Sequence, residues 1–157
     1  MAKLISADLT NNKLCILEYT TTDGKMLSFG DEAFDAKIVS HTYTDIGKVI
    51  FDKPITKIGD YAFYCCTNLT SVTIPDSVTT IGEWAFAWCK SLTSVTIGKS
   101  VSEIGKQAFK GCNIDTIVCC AKIPPKLYDS FDRFENLIVP TGCEEAYANS
   151  DWGQYLE

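Results

Sequence analysis

Features typical of metalloproteins, membrane proteins and nucleic-acid binders are scarce in this 157-residue sequence. It has one histidine, His41, no Cys-x-x-Cys pair and no apolar run near the ~20 residues that cross a bilayer. The usual signatures of a zinc knuckle and of a thioredoxin-like redox site are therefore missing. The formal net charge is −6, and there is no basic stripe of the kind that binds nucleic acid. We expect no metal, no cofactor, no nucleic-acid partner and no insertion into a membrane.

The first nine residues also lack the apolar stretch and the small-residue cleavage site of a secretory signal. We expect that the chain either is not exported or is a mature or trimmed form. Hydrophobic residues make up 46% of the chain and charged residues 22%, which is the composition of a globular protein with a core of its own. One domain over residues 1–157 is therefore expected.

An internal repeat is the clearest pattern in the sequence. Residues 55–77 and 78–100 are consecutive units of 23 residues, and residues 101–122 match them after one deletion that follows Cys112. The best-matched positions are Ile58-Gly59, Ile81-Gly82 and Ile104-Gly105, then Ala62-Phe63, Ala85-Phe86 and Ala108-Phe109, then Cys66, Cys89 and Cys112, then Val72, Val95 and Ile117. A partial unit precedes them, because residues 30–34 match residues 59–63 and residues 49–51 match residues 72–74.

A repeat of this length predicts a solenoid, because a single coil cannot bury its own apolar residues and the coils must stack. Each unit ends in Leu-x-x-Val-x-Ile, which predicts a half-buried strand with Val95 and Ile97 inward and Ser94 and Thr96 outward in the second unit. Stacked strands of this kind form a parallel sheet with ~4.8 Å between neighbours. The Gly-x-x-Ala-Phe segment predicts a helical turn from which Phe86 fills the core.

The motif Ile-Gly-x-x-Ala-Phe-x-x-Cys-x-x-Leu-x-x-Val-x-Ile-Pro resembles the repeat of the BspA-like leucine-rich repeat family of bacterial surface proteins. The resemblance covers residues 55–119 and implies an α/β-type repeat solenoid, a right-handed leucine-rich-repeat coil with a small parallel sheet, short helical turns and two caps. It divides the domain into an N-terminal cap with a partial repeat (1–54), three repeats (55–122) and a C-terminal cap (123–157). It also implies surface adhesion, a protein or glycan partner, and a location at the cell surface or outside the cell.

Caps are expected because a bare solenoid exposes apolar coil ends and unpaired strand edges. In the N-terminal cap, residues 14–19 and residues 26–29 predict the two strands of a hairpin around the turn signal Asp23-Gly24. In the C-terminal cap, Pro124-Pro125 ends the coil pattern, and residues 144–149 predict a short helix over the last coil. We expect two aromatic residues, Trp152 and Tyr155, to pack beneath that helix.

Two surfaces are candidate binding sites. The first is the outer face of the predicted sheet, whose small hydroxyl side chains we name the hydroxyl face: Ser71, Thr73, Ser94, Thr96 and Thr116. These residues suit a binding surface of a solenoid. The alternative is that they are present for their strand propensity, since Thr suits a pleated surface. The second is an aromatic ridge at variable repeat positions: Tyr61, Tyr64, Trp84 and Trp88. Exposed Tyr and Trp are enriched at binding hot spots, and packing beneath a neighbouring coil or a dimer partner is the alternative.

Other residues with reactive side chains have simpler interpretations. We expect Cys66, Cys89 and Cys112 to stack as buried free thiols, since a straight ladder does not supply the tetrahedral angles of a zinc site. The vicinal pairs Cys65-Cys66 and Cys119-Cys120 are poor candidates for disulfides. His41 is expected to be structural, because a Cys–His catalytic pair needs base and thiol within hydrogen-bond reach. Four acidic residues are expected on a solvated face rather than as a glycosidase pair: Asp60, Asp76, Glu83 and Glu103.

The sequence therefore predicts a non-enzymatic module that binds a protein or a glycan through the hydroxyl face and the aromatic ridge. The first alternative is an intracellular scaffold protein, which free thiols and the missing signal favour. The second is a hydrolase, for which the sequence offers no nucleophile, metal or phosphate motif.

Overall fold

The computed structural model describes residues 1–7 and 15–156. The described part of the chain is built from strands, with one short α-helix and one 3-10 helix near its end. The strands are β1 (Lys3–Ala7), β2 (Ile16–Thr21), β3 (Ile38–Tyr43), β4 (Gly47–Phe51), β5 (Lys57–Ile58), β6 (Leu69–Thr73), β7 (Thr80–Ile81), β8 (Ser94–Ile97), β9 (Glu103–Ile104), β10 (Ile114–Cys119), β11 (Lys126–Leu127) and β12 (Phe134–Pro140). The helices are α1 (Glu144–Ala148) and the 3-10 helix Asp151–Tyr155. None of the helices in these described ranges is long and apolar enough to span a membrane.

The coils stack as a β-solenoid, which confirms the predicted fold class. One sheet has eight strands in the order β1-β12-β10-β8-β6-β2-β4-β3, and the other has four in the order β11-β9-β7-β5. Each coil contributes one strand to each sheet, and the strands from successive coils are parallel. Val72 lies opposite Val95, which lies opposite Ile117, so equivalent repeat positions are in register.

The core lies between the two sheets and contains a column of phenylalanines. Val95 and Ile97 are fully buried, as the alternation in their strand predicts. The rings of Phe63, Phe86 and Phe109 stack with centroids 4.6 and 5.0 Å apart and nearly parallel planes. A further ring, that of Phe131, continues the column at 4.8 Å. Because a buried aromatic side chain removes a large apolar area from water, this column is the main apolar contact between coils.

The Gly-x-x-Ala-Phe segments differ from the predicted helical turn. They are successive tight turns, in which the Ala62 N–H donates to the Gly59 carbonyl and the Tyr64 N–H donates to the Tyr61 carbonyl. Helical winding stops because non-glycine residues here adopt left-handed backbone conformations, with positive φ at Tyr61, Trp84, Gln107 and Asp129. These four residues occupy equivalent positions in four coils.

A fourth coil covers residues 123–140, the part of the chain in which the sequence analysis starts the C-terminal cap. Leu127 pairs with Ile104 in the small sheet, and Phe131 stacks on Phe109. Ser130 stands where earlier coils have alanine, and its hydroxyl donates to the buried Ile104 carbonyl at 2.7 Å. This coil also lacks the glycine of the Gly-x-x-Ala-Phe segment, and the segment is one residue shorter than in the earlier coils. Its match to the repeat is therefore not evident from the sequence.

The N-terminal cap is built differently from the predicted hairpin. The strand β2 forms, although Leu14 of its predicted range lies outside the described residues, and it pairs antiparallel with β4 and β6. Residues 26–29 form no strand. Instead the Leu27 N–H donates to the Tyr19 hydroxyl at 3.1 Å, and β3 with β4 makes the hairpin. At the opposite edge of the large sheet, β1 pairs in parallel with β12.

The C-terminal cap contains the predicted short helix, α1. Trp152 is fully buried, and its indole N–H donates to the Pro125 carbonyl at 2.8 Å. Tyr155 is half-buried, and its hydroxyl donates to the Phe131 carbonyl at 3.1 Å. Tyr147 of α1 is fully buried, and its hydroxyl donates to the Ala121 carbonyl at 2.7 Å. The cap thus buries large rings and satisfies their polar atoms with carbonyls of the coils.

Candidate functional site

The aromatic ridge lies on the first two coils. The exposed fractions are 57% for Tyr61, 43% for Tyr64 and 39% for Trp88, whereas Trp84 is half-buried. The rings of Tyr61 and Trp84 are stacked with an interplanar angle of 5° and centroids 6.5 Å apart. The Tyr64 ring meets the Tyr61 ring edge to face at 5.6 Å. The structure thus brings Tyr61, Tyr64 and Trp84 into ring contact, and Trp88 is exposed in the same coil as Trp84.

The backbone beneath the ridge is strained. Tyr61, Trp84 and Trp88 have φ angles of 58°, 55° and 62°. The left-handed region costs an L-residue with a bulky side chain about 1–2 kcal/mol, and Gly, Asn or Asp avoid most of that cost. At the equivalent positions, other coils have Asp129 and Gln107 in one column and Gly111 and Cys65 in the other.

Hydrogen bonds between coils hold the ridge residues in this conformation. The Tyr61 N–H donates to the Glu83 carbonyl at 3.0 Å, and the Trp84 N–H donates to the Lys106 carbonyl at 3.0 Å. The Trp88 N–H donates to the Lys110 carbonyl at 2.6 Å, in the next coil. Three ridge residues are therefore hydrogen-bonded through their backbone to the next coil.

A groove runs beside the ridge, along the corner that follows the small sheet. Its volume is about 620 Å³. Its lining residues are Lys57 and Asp60 from the first coil, Thr80, Ile81, Gly82 and Glu83 from the second, Glu103, Gly105 and Lys106 from the third, and Tyr128 and Asp129 from the fourth. Sequence analysis missed this groove, because its lining residues are adjacent only when the coils are stacked.

The hydroxyl face is also a continuous surface. Ser71, Ser94 and Thr116 are neighbours across the sheet, Thr73 lies beside Thr96, and all five are half-buried. The face is extended by β2, where the Thr20 hydroxyl lies 2.6 Å from the Ser71 hydroxyl. These side chains partly satisfy one another. Binding at this face stays a prediction.

The three repeated cysteines are free thiols, of which Cys89 and Cys112 are buried as expected and Cys66 is only half-buried. The Cys89 thiol donates to the Phe63 carbonyl at 3.0 Å, and the Cys112 thiol donates to the Phe86 carbonyl at 3.1 Å. A hydrogen bond with Cys112, together with burial, raises the pKa of the Cys89 thiol. Burial raises the pKa of the Cys66 thiol to about 11. In the described ranges, no three His, Cys, Asp or Glu side chains are grouped to hold a metal ion.

His41 belongs to an aromatic cluster in the N-terminal cap. Its Nε2 atom lies 2.6 Å from the Tyr19 hydroxyl, and its ring centroid is 5.2 Å from that of Phe29. Burial lowers the pKa of His41. The imidazole therefore has a phenol as its partner and a structural environment.

The acidic repeat residues have two different environments. Glu83 and Glu103 are exposed, as expected. The expectation that Asp76 faces solvent is wrong: it is only 4% exposed, and its carboxylate accepts the Lys99 N–H at 3.0 Å in the next coil. Asp60 likewise accepts the Glu83 N–H at 2.9 Å. A carboxylate that links neighbouring coils in this way satisfies a backbone donor in a turn, where no strand can do so.

Comparison with protein families identifies the type of repeat. The model of the BspA type leucine rich repeat region matches residues 56–150 in six copies. Comparisons with curated proteins and with solved structures found no match. Repeat solenoids present extended surfaces to other proteins, and the chain is a repeat protein for protein interaction. From the repeat motif, the stacked coils and this match, the chain belongs to the BspA-type leucine-rich repeat family.

Proposed function

We propose that the chain is a non-enzymatic binding module of the bacterial cell-surface adhesion type, which contacts its protein or glycan partner through the aromatic ridge. The observation that carries the proposal is the pairing of exposure with strain at Tyr61 and Trp88. A large ring that is exposed on a left-handed backbone costs strain and gains little burial. Such a ring therefore favours a role in contact with a partner. The hydroxyl face serves as a second, weaker contact surface.

The ridge has the chemistry of a binding hot spot. Tyr and Trp present a large, rigid apolar area and a polar group at the rim, and they lose little conformational entropy when they bind. Their faces stack against apolar side chains, guanidinium groups or the C–H face of a sugar ring. A solenoid that holds several rings on neighbouring coils also reduces the entropic loss of association.

An intracellular scaffold is the second candidate function. All eight cysteines are free thiols, and thiols persist best in a reducing compartment. Protease shaving of intact source cells distinguishes the two locations. Cleavage of this chain supports surface adhesion, and its protection while a known surface protein is cut overturns the surface location.

The ridge itself is tested by paired variants on a screen of extracellular proteins and glycans. One variant replaces the exposed rings, Tyr61→Ser, Tyr64→Ser and Trp88→Ser. The matched variant alters the hydroxyl face, Ser71→Ala, Ser94→Ala and Thr96→Val. Loss of binding in the first variant, with circular dichroism unchanged, supports the proposal. Loss in the second variant alone would transfer the site to the sheet and overturn the role of the ridge.

A further inference from the structure

We propose that the groove beside the aromatic ridge binds an extended segment of a partner protein that carries spaced arginine or lysine side chains. The inference deepens the proposed function by naming the chemistry of the partner, and it rests on that function in so far as two ridge residues, Tyr61 and Trp84, directly follow lining residues of the groove in the chain. Three observations support it: the shape of the groove, its charge, and the rings along its side.

The shape of the groove comes from glycine at one corner of successive coils. A Cβ atom on Gly105 would lie 2.7 Å from the Gly82 carbonyl carbon, so the coils approach too closely for any side chain there. Glycine in both coils therefore leaves the corner without side chains, and a channel results. In the fourth coil Tyr128 stands at this corner, and it closes that end of the channel. The opening runs across the coils, and with ~4.8 Å per coil and ~3.3 Å per extended residue it suits a peptide of a few residues.

The charge of the groove selects a cationic occupant. Its lining holds four carboxylates and two ammonium groups: Asp60, Glu83, Glu103 and Asp129 against Lys57 and Lys106. Within the described ranges, Glu83 belongs to none of the ion pairs, whereas Glu103 lies opposite Lys126 in the small sheet and interacts with it electrostatically. The whole chain has a net charge of −6, so long-range attraction of a basic segment acts in the same direction.

The rings give the groove a preference for guanidinium and ammonium groups. Tyr128 is the aromatic residue of the lining, and two ridge rings adjoin the groove in the chain, since Tyr61 follows Asp60 and Trp84 follows Glu83. A planar guanidinium group can stack on a ring and pair with a carboxylate at the same time. One ring of the groove already holds a cation, since the Lys126 ammonium lies 4.9 Å from the centroid of Tyr128.

The test measures binding of a fluorescein-labelled peptide, Gly-Arg-Ser-Arg-Ser-Arg-Gly, to the full chain by fluorescence anisotropy at low and at physiological salt. The control peptide has glutamine in place of each arginine. The groove variant is Glu83→Gln with Glu103→Gln. The matched control variant, Glu135→Gln with Glu145→Gln, removes the same charge from exposed positions outside the groove.

We expect the arginine peptide to bind more tightly than the glutamine peptide. The groove variant should lose about tenfold in affinity, and the control variant less than about twofold. An equal loss in both variants would show non-specific attraction to an acidic protein and would overturn the proposal. Equal binding of the two peptides by the unaltered chain would overturn it as well.

The same assay separates this inference from the proposed function. If a protein or glycan binds the ridge but its affinity is unchanged in the groove variant, the groove proposal fails and the ridge function stands. If the arginine peptide depends on Glu83 and Glu103, and every partner found in the screen binds the Tyr61→Ser, Tyr64→Ser, Trp88→Ser variant as tightly as the unaltered chain, the groove proposal stands and the ridge function fails.

Discussion

The rings of Phe63 and Phe86 lie face to face, with centroids 4.6 Å apart and planes inclined by 9°. They come from equivalent positions in adjacent coils, so the contact is a direct product of the repeat. Phe86 is fully buried and is stacked on its other side by Phe109 at 5.0 Å. Each inner ring of the column therefore joins three coils, and its loss affects both neighbours.

Phe86→Ala should reduce the free energy of unfolding by about 3–5 kcal/mol, because it leaves a cavity in the middle of the column. Chemical denaturation followed by circular dichroism measures the change. Ile123→Ala is the matched control, since Ile123 is 83% exposed and its loss should change the free energy by less than about 0.5 kcal/mol. A loss below about 1 kcal/mol for Phe86→Ala would contradict the register of the coils.

Tyr61→Gly should change the free energy of unfolding by less than about 1 kcal/mol. The relief of left-handed strain stabilises the folded state and offsets the extra entropy of the unfolded chain. Tyr64→Gly is the comparison, because Tyr64 is also an exposed ridge tyrosine but its φ is not positive. Tyr64→Gly should be the more destabilising of the two, by about 0.5–1 kcal/mol. Thermal and chemical unfolding of both variants provide the measurement. The reverse order would mean that the Tyr61 ring is retained for packing.

Thiol labelling of the native protein should separate the cysteines by burial. Cys65 is exposed, whereas burial raises the pKa of Cys66 to about 11 and that of Cys119 to about 12. Since the thiolate reacts and the thiol does not, iodoacetamide at pH 8 should modify Cys65 at least about tenfold faster than either. Peptide mass spectrometry over a time course measures the rates, and unfolded protein, in which all eight thiols react, is the control. Equal rates at Cys65 and its neighbour Cys66 would contradict the burial of the latter.

The stability of the domain should fall as the pH decreases through the titration of His41. The Tyr19 hydroxyl accepts the Leu27 N–H and forms a second hydrogen bond, of 2.6 Å, with Nε2 of His41. Burial lowers the pKa of His41 in the folded state. The stability linked to this group is therefore complete above its unfolded pKa of about 6.5 and is lost as the pH falls through the lower, folded value.

His41→Gln is the variant that tests this linkage. The glutamine amide can donate or accept the hydrogen bond with Tyr19 but does not titrate. We expect the free energy of unfolding to decrease between about pH 7 and pH 5 in the unaltered chain and to be flatter in the variant. Urea denaturation at several pH values gives both profiles. Parallel profiles would show that the imidazole is not the group responsible.

Much of the solenoid could be predicted from the repeat because its physical causes are local. The alternation around Val95 and Ile97 decides which side chains face inward. Repetition every 23 residues places equivalent repeat positions opposite each other in neighbouring strands. Pro124-Pro125, in contrast, was a misleading signal. The coil continues past the two prolines because Leu127 and Phe131 still fill its apolar positions. Stacking depends on apolar side chains at those positions more than on a match to the full repeat motif.

The candidate site, too, could be predicted only in part from the sequence. The sequence alone determined the stacked coils, the buried faces of the strands, the short C-terminal helix and the repeat positions at which Tyr61, Trp84 and Trp88 stand. Only the tertiary structure decided that these rings sit on left-handed backbone, that β2 pairs with β4 and β6, and that Gly82, Gly105 and Tyr128 form a groove. The physical reason is that a pattern of burial acts within one coil, whereas backbone strain, strand choice and grooves arise from the hydrogen bonds and close approach between coils.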